Sequence, residues 1–277
     1  MFSDISELKN QIQNPISDEG FELIKQEVED QIDSGYLVDQ IDLVNYISQV
    51  LVDNGPELTS KNPKLYDEFQ KCWALLAFAA FPGFAPSDQS NLLQKRLLYA
   101  IQKGFDPDDL LREIFSLYES YDYIKEILAV YAHDLESNTE GFGTLPVEVE
   151  GKRYLPQVKY WVLDYSRFPS KVAHRGTVER LNYIDQSQNT KPLAQGQRQI
   201  LLKLLKFYDD LIYANMPNVK KGNSTETQQA QPPQDQVTRH EDGTIEIKAK
   251  TSAYSPMDLE SEKIEHKLED LKQRAEK

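Results

Sequence analysis

Residues 69–81 read FQKCWALLAFAAF, and from Cys72 to Phe81 this stretch contains no charged or strongly polar side chain. Asn62 can cap the start of a helix here, and Pro82–Gly83 can end it. A helix that is apolar on all sides is either buried on all sides or lies in a membrane. A membrane span needs about 20 apolar residues, and this run has about half as many. We therefore predict the central helix of a soluble helical domain, with the other helices packed around it.

Two amphipathic helices are predicted before the central helix, because apolar residues recur at helical spacing between recognisable start and stop residues. The first is capped by Ser17 and stopped by Gly35. The second starts at Asp39 and is closed by Gly55–Pro56. A shorter and weaker helix is predicted over residues 3–13.

Three more helices are predicted after the central one. Ser87 caps the first, which ends before Gly104. Asp106–Pro107 opens the second, and the third covers residues 122–136. The segments between these helices are short, which favours antiparallel neighbours. Residues 1–140 are therefore predicted to form an all-α bundle of six to seven helices.

The charge of the chain changes sharply along its length. Residues 1–150 contain 10 Lys and Arg against 28 Asp and Glu, a net charge of −18. Residues 151–213 contain 11 against 5, a net charge of +6, and residues 214–277 carry −2. Such a split indicates units with different surfaces. We predict that the acidic bundle is followed by a linker or small hairpin over residues 141–154 and a smaller basic helical unit over residues 155–215.

The last part of the chain is predicted to be a tethered helix. Residues 216–254 are too polar to offset the entropy of ordering and are predicted as a disordered linker. Within them TIEIK, residues 244–248, alternates like a strand but has no predicted partner. Residues 255–277 are predicted as an amphipathic helix with an apolar seam at heptad positions. The docking residues predicted on this seam are Met257, Ile264, Leu268 and Leu271.

Basic and aromatic residues are interleaved in the basic helical unit. Cations that meet phosphates and aromatic faces that stack on bases are what a nucleic-acid groove requires. The same charges also suit docking on the acidic bundle, and an overall pI near 4.8 disfavours a dedicated nucleic-acid protein. Docking is the preferred interpretation, and nucleic-acid binding stays open as the alternative. The candidate basic patch consists of Lys159, Arg167, Lys171, Arg175 and Arg180.

No catalytic, cofactor or metal motif is found in the sequence. The single cysteine, Cys72, belongs to the most apolar helix, where an inert buried thiol is expected. The four histidines lack metal-ligand spacing, so no metal site is predicted. We predict a non-enzymatic protein without a cofactor. Because the first residues show no secretion signal and no segment is long enough to cross a bilayer, we predict a cytoplasmic location without membrane contact.

One segment resembles known proteins. Leu155–Tyr165 reads LPQVKYWVLDY, and Tyr183 and Asn189 follow it. A Pro, a Trp five residues later and an Asp-Tyr pair, with a downstream Tyr and Asn, resemble a helical segment in uncharacterised proteins of candidate-phylum bacteria. The resemblance covers residues 155–215. It implies a bacterial cytoplasmic protein and a unit boundary near residue 150, but no known activity.

These observations together predict a protein-protein interaction or scaffold protein. The helix over residues 255–277 would dock into an apolar groove, which would lie on another protein, on a second copy of this chain or on this protein itself. The alternative is a nucleic-acid-associated protein that binds through the basic face over residues 152–191. The identity of the partner, the oligomeric state and the existence of a composite active site remain open.

Overall fold

The computed structural model describes residues 5–118, 124–170, 172, 175–213, 237–239 and 245–247. These residues form eleven α-helices, one 3₁₀ turn and four short strands, so the all-α prediction is confirmed. Residues 1–220 make up one compact unit, and residues 221–277 belong to a second.

The elements of the first unit follow one another with short connections. In chain order they are α1 (Ile5–Gln11), α2 (Asp18–Ser34), α3 (Leu37–Lys61), α4 (Pro63–Ala79), a 3₁₀ turn (Phe81–Gly83), α5 (Pro86–Lys95), α6 (Leu97–Gln102), α7 (Pro107–Tyr118), α8 (Ile124–Glu136), β1 (Val147–Val149), β2 (Lys152–Tyr154), α9 (Val158–Arg167), α10 (Thr177–Gln186) and α11 (Gln195–Tyr213).

Helix α4 is the predicted central helix. Asn62 caps it by accepting the backbone N–H of Leu65, as predicted. From Cys72 to Phe81 every residue is buried or half-buried, because α2, α3 and α6 all pack against this helix. The ring of Phe21 meets that of Phe69 edge-on, with centroids 4.7 Å apart. Burial of this run removes apolar surface from water, which favours packing of the other helices around α4.

Helix α3 is longer than its sequence indicates. Gly55–Pro56 was predicted to close it, but the helix continues through Pro56 to Lys61, so this prediction is wrong. Val52, whose carbonyl loses a donor because Pro56 has no N–H, is an exposed residue, and water can hydrate that carbonyl. One turn farther on, Leu58 is buried in the core. Packing of this last turn offsets the missing hydrogen bond.

The predicted helix between Ser87 and Gly104 is two helices. The cap position of α5 is Ala85, which makes no side-chain cap, so the prediction that Ser87 caps this helix is wrong. A break at Arg96 separates α5 from α6. The break persists because Glu140, from a distant loop, binds the start of α6. A contact of this kind cannot be inferred from local sequence.

The segment after α8 forms a small hairpin and three further helices. Strands β1 and β2 pair antiparallel, with Val147 opposite Tyr154. Helices α9 and α11 pack against α8, and α11 also meets α6 and α7. The Nζ of Lys206 lies 2.7 Å from the Oδ1 of Asp108, and the hydroxyl of Tyr208 donates to Glu136 at 2.7 Å. Polar bonds thus join α11 to the acidic helices beside a shared apolar core.

The second unit is described by two strands, β3 (Val237–Arg239) and β4 (Ile245–Ile247). They pair antiparallel, with Val237 opposite Ile247. The expectation that the TIEIK strand has no partner is therefore wrong. Its partner β3 precedes it closely in the chain, so the two strands form a hairpin. The rest of the predicted linker over residues 216–254, and the predicted helix over residues 255–277, lie outside the described residues.

Candidate functional site

An open groove runs across the surface between α3, α4 and α5. We call it the α3–α5 groove. It encloses about 660 Å³, which lies within the range of ligand-binding clefts. Gly83 of the 3₁₀ turn lies at one end, and Arg96, at the break between α5 and α6, lies at the other. Its lining consists of Ile41, Val44, Asn45, Ser48, Trp73, Ala77, Gly83, Phe84, Ala85, Asp88, Asn91, Leu92, Lys95 and Arg96.

The floor of the α3–α5 groove is apolar. Val44, Ala77 and Leu92 are buried beneath it, and Ile41 and Phe84 are half-buried at one end. A floor of this kind favours an apolar ligand, because covering it removes apolar surface from water.

A glycine lies at the end of the groove formed by the 3₁₀ turn, close to the side chain of Ile41. A Cβ added to Gly83 would lie 2.7 Å from the Cδ1 of Ile41, closer than carbon atoms approach in proteins. The absence of a side chain therefore lets the 3₁₀ turn come close to α3. This close approach places Phe84 against the groove.

Trp73 forms the wall at the opposite end and is held in a fixed orientation. Its indole Nε1–H donates to the Oγ of Ser48 at 2.7 Å. The guanidinium of Arg96 lies 5.4 Å from the ring centroid, within the range of a cation–π contact, and also donates to the side chain of Gln70. The half-buried indole thus has a hydrogen-bond partner at one edge and a cation over its ring while it lines the groove.

The rim of the groove is polar and carries charges of both signs. Asp88 is exposed near the end formed by the 3₁₀ turn. Lys95 is exposed beside Arg96 at the Trp73 end. Asn45 and Asn91 add exposed amide groups between them. Two cations therefore lie at one end of the groove, although residues 1–150 of the chain carry a net charge of −18.

These groups are suited to binding a ligand. Amides, a carboxylate and two cations can orient a partner around an apolar centre, as in other protein recognition sites. Across the described part of the chain, no group of three or more His, Cys, Asp or Glu residues is placed to hold a metal ion. In the same residues no helix is both long and apolar enough to span a membrane.

Arg180, from the candidate basic patch, is buried and paired within the fold. Its NH1 donates to the Oδ2 of Asp209 at 2.7 Å, and the two side chains are 9% and 3% exposed. The hydroxyl of Tyr165 donates to the same oxygen at 2.7 Å. Burial and this hydrogen bond raise the pKa of Tyr165, so the hydroxyl stays protonated and continues to donate. The charge of Arg180 is thus used inside the protein.

Each of the other described basic-patch residues also has a partner within the fold. Arg175 donates to three backbone carbonyls at the end of α9 and lies over the ring of Tyr165. Arg167 pairs with Glu150, and Lys159 lies 5.0 Å from the ring centroid of Tyr160. Lys171 lies outside the described residues. Nucleic-acid binding through this face stays a prediction.

The predicted docking residues fall in the part of the chain that the structure leaves undescribed. Met257, Ile264, Leu268 and Leu271 all belong to it, so their contacts stay predictions. The α3–α5 groove itself was missed in the sequence. A signal was present in α3, where Ile41, Asn45 and Ser48 recur at helical spacing beside the stripe that faces the core.

Comparison of this chain with known proteins identifies no relative. No protein-family model, no curated protein and no solved structure matches this chain. The arguments below therefore rest on the residues and their geometry.

Proposed function

We propose that this protein is a non-enzymatic interaction protein that binds amphipathic helices. The α3–α5 groove is the observation that carries the proposal. It combines an apolar floor, two half-buried aromatic side chains and a polar rim, which is the composition of a helix-in-groove site. Trp73 is the proposed anchor of the groove, since tryptophan is enriched among the interface residues that contribute the most binding energy.

The C-terminal segment supports the same function from the sequence. Residues 255–277 have the heptad pattern of a docking helix, with Met257, Ile264, Leu268 and Leu271 on one seam. A helix of this length is marginal in water by itself and gains stability when its apolar face is covered. The protein thus has a groove suited to binding an amphipathic helix and also a segment that is predicted to be one.

Deletion of residues 256–277 tests this function. We expect the shortened chain to differ from the full chain in oligomeric mass, measured by sedimentation velocity, or in the set of proteins that co-purify with it. A full-length variant with Ile264→Glu and Leu268→Glu should behave like the deletion, because it removes the apolar seam alone. If neither change alters mass or partners, the segment is not a docking helix.

A further inference from the structure

We infer that the α3–α5 groove binds helix α10 of a second copy of this chain. The inference rests on the proposed function and names the occupant of its site. The groove and α10 both belong to the first compact unit and to the described residues. Because the two surfaces differ, their contact joins copies of the chain head to tail.

Helix α10 carries apolar side chains on its outer face. Its inner face packs on α11 and buries Tyr183 and Ile184. Val178 and Leu181 lie one turn apart on the outer face, and they are 64% and 44% exposed. A surface helix normally carries polar residues there. Covering these two side chains therefore removes apolar surface from water, as does covering the floor of the groove.

The groove and the outer face of α10 have the same length. Along α5 the lining runs from Asp88 to Lys95, a separation of seven residues or about 10 Å. Along α10, Val178 and Asp185 are also seven residues apart. Two turns of α10 thus span the groove, and Val178 and Leu181 cover its apolar floor.

Charges at one end of the groove set the direction of α10. Lys95 and Arg96 lie at the Trp73 end. Asp185 is exposed in the last turn of α10. Within the described part of the chain, the side chains of Lys95 and Asp185 make no hydrogen bond or ion pair. The end of α10 therefore lies beside Lys95, where Asp185 gains a cation and the helix dipole favours the same charge.

The net charges of the two parts of the chain favour the same contact. Residues 151–213, which include α10, carry a net charge of +6, and residues 1–150, which form the groove, carry −18. A head-to-tail contact brings the basic part of one copy to the acidic part of the next. A contact between two grooves would instead bring two acidic parts together.

Sedimentation velocity of the full chain tests the contact. An interface of two helical turns is small, and small interfaces are typical of weak association. We expect the average mass of the natural chain to rise over about a tenfold range of protein concentration. Leu181→Glu and Lys95→Glu should each lose this rise and stay monomeric. A natural chain that stays monomeric throughout would overturn the inference.

Two substitutions outside the contact serve as matched controls. Val130→Glu places an acid on an exposed apolar position of α8, and Lys64→Glu reverses an exposed cation of α4 that does not line the groove. Both variants should associate like the natural chain. An equal loss of association in these controls would overturn the inference, because it would show that net charge and not the contact is responsible.

A mixture of the two contact variants isolates a single contact. The Leu181→Glu chain retains an intact groove, and the Lys95→Glu chain retains an intact α10. An equimolar mixture should therefore form dimers and no larger species, although each variant alone is monomeric. A mixture that stays monomeric would overturn the inference, because the two surfaces would then not meet.

Exchange of charges tests the direction of α10. Asp185→Lys should weaken association, and Lys95→Glu added to the same chain should restore it, since the ion pair returns with its signs exchanged. Lys64→Glu added instead should not restore it. Restoration by Lys64→Glu, or no restoration by Lys95→Glu, would overturn the assigned direction.

The fluorescence of Trp73 reports whether the groove is the surface that is covered. The protein has two tryptophans, and Trp161 is 2% exposed. A change in acrylamide quenching on association therefore comes from Trp73. We expect the quenching constant to fall as the natural chain associates and to stay constant in Leu181→Glu. Association without a change in quenching would place the contact elsewhere and overturn the inference.

Failure of this inference can be distinguished from failure of the proposed function. If Leu181→Glu and Lys95→Glu leave the mass unchanged while deletion of residues 256–277 alters mass or partners, the inference fails and the proposed function stands. If neither the substitutions nor the deletion has an effect, both proposals fail.

Discussion

The carboxylate of Glu140 accepts the backbone N–H of Leu98 at 2.8 Å, across 42 residues of sequence. Its other oxygen accepts the N–H of Tyr99 at 2.9 Å. These N–H groups lie in the first turn of α6, where no partner exists within the helix. Asn138 donates to the same carboxylate and to the carbonyl of Leu93. The loop after α8 thus caps α6 and fixes the break between α5 and α6.

Removing this cap should destabilise the fold. We expect Glu140→Ala to lower the free energy of unfolding by about 1–3 kcal/mol, because two N–H groups at the start of α6 lose their acceptor. Urea denaturation followed by circular dichroism measures the change. Glu126→Ala removes an exposed acid from α8 and should change stability by less than about 0.5 kcal/mol. Equal effects of the two substitutions would contradict the capping role.

Glu140 should also make stability depend on pH. Burial raises its pKa by more than the hydrogen bonds from Asn138, Tyr99 and Leu98 lower it. A raised pKa means that the native state holds the proton longer than the unfolded chain does. The free energy of unfolding should therefore fall as pH rises from the unfolded value, about 4.3, through the higher native pKa. In Glu140→Gln the free energy of unfolding should not fall in this way. Urea titrations of both proteins over this pH range measure the difference.

The buried pair Arg180–Asp209 should be costly to break on one side. We expect Arg180→Met to destabilise the protein by about 3–5 kcal/mol, because it leaves the carboxylate of Asp209 buried without its cation. The double substitution Arg180→Met with Asp209→Leu should recover much of the loss. A double-mutant cycle in urea measures the coupling. Additive effects would mean that the two charges do not depend on each other.

The thiol of Cys72 should be unreactive in the folded protein. Burial raises its pKa to about 11 from an ordinary value near 9. At neutral pH the thiolate fraction is thus lower by about 100-fold, and the thiolate is the reactive form. Reaction with a chromogenic disulfide should be at least about 100-fold slower than in guanidinium chloride. Because the chain has one cysteine, this signal reports global unfolding, and fast labelling of the native protein would contradict the burial.

Two glycines should respond in opposite directions to alanine. Gly35 ends α2 with a φ of +71°, and a Cβ there would meet no atom within 4 Å. Gly35→Ala should therefore cost about 1 kcal/mol through backbone strain alone. Gly196 in the first turn of α11 has equally open surroundings without a positive φ, and Gly196→Ala should be neutral or stabilising. Thermal unfolding of both variants gives the comparison.

Local sequence was enough to predict features that depend on a few neighbouring residues. The cap at Ser17, the left-handed stop at Gly35 and the start of α4 at Asn62 are all present as predicted. Each depends on a side chain or a φ angle within three residues of the helix end, so the neighbouring sequence is enough to predict it.

The failures occur where distant packing prevails over local preference. Pro56 does not end α3, because the next turn of that helix buries Leu58. The predicted helix from Ser87 is divided at Arg96, because Glu140 binds the start of α6. Arg180 was assigned to a basic surface, yet its side chain is buried and paired with Asp209 on another helix.

The amino-acid sequence by itself determined that the protein is helical, that the run from Cys72 to Phe81 lies at its centre and that acidic and basic segments alternate. Helical periodicity, caps and charge are properties of neighbouring residues, so they can be seen without a fold. Tertiary structure alone decided which charges are buried and that Trp73, Phe84 and Lys95 border one groove. Those outcomes depend on which helices pack side by side, and that choice is made by the summed burial of all their apolar faces.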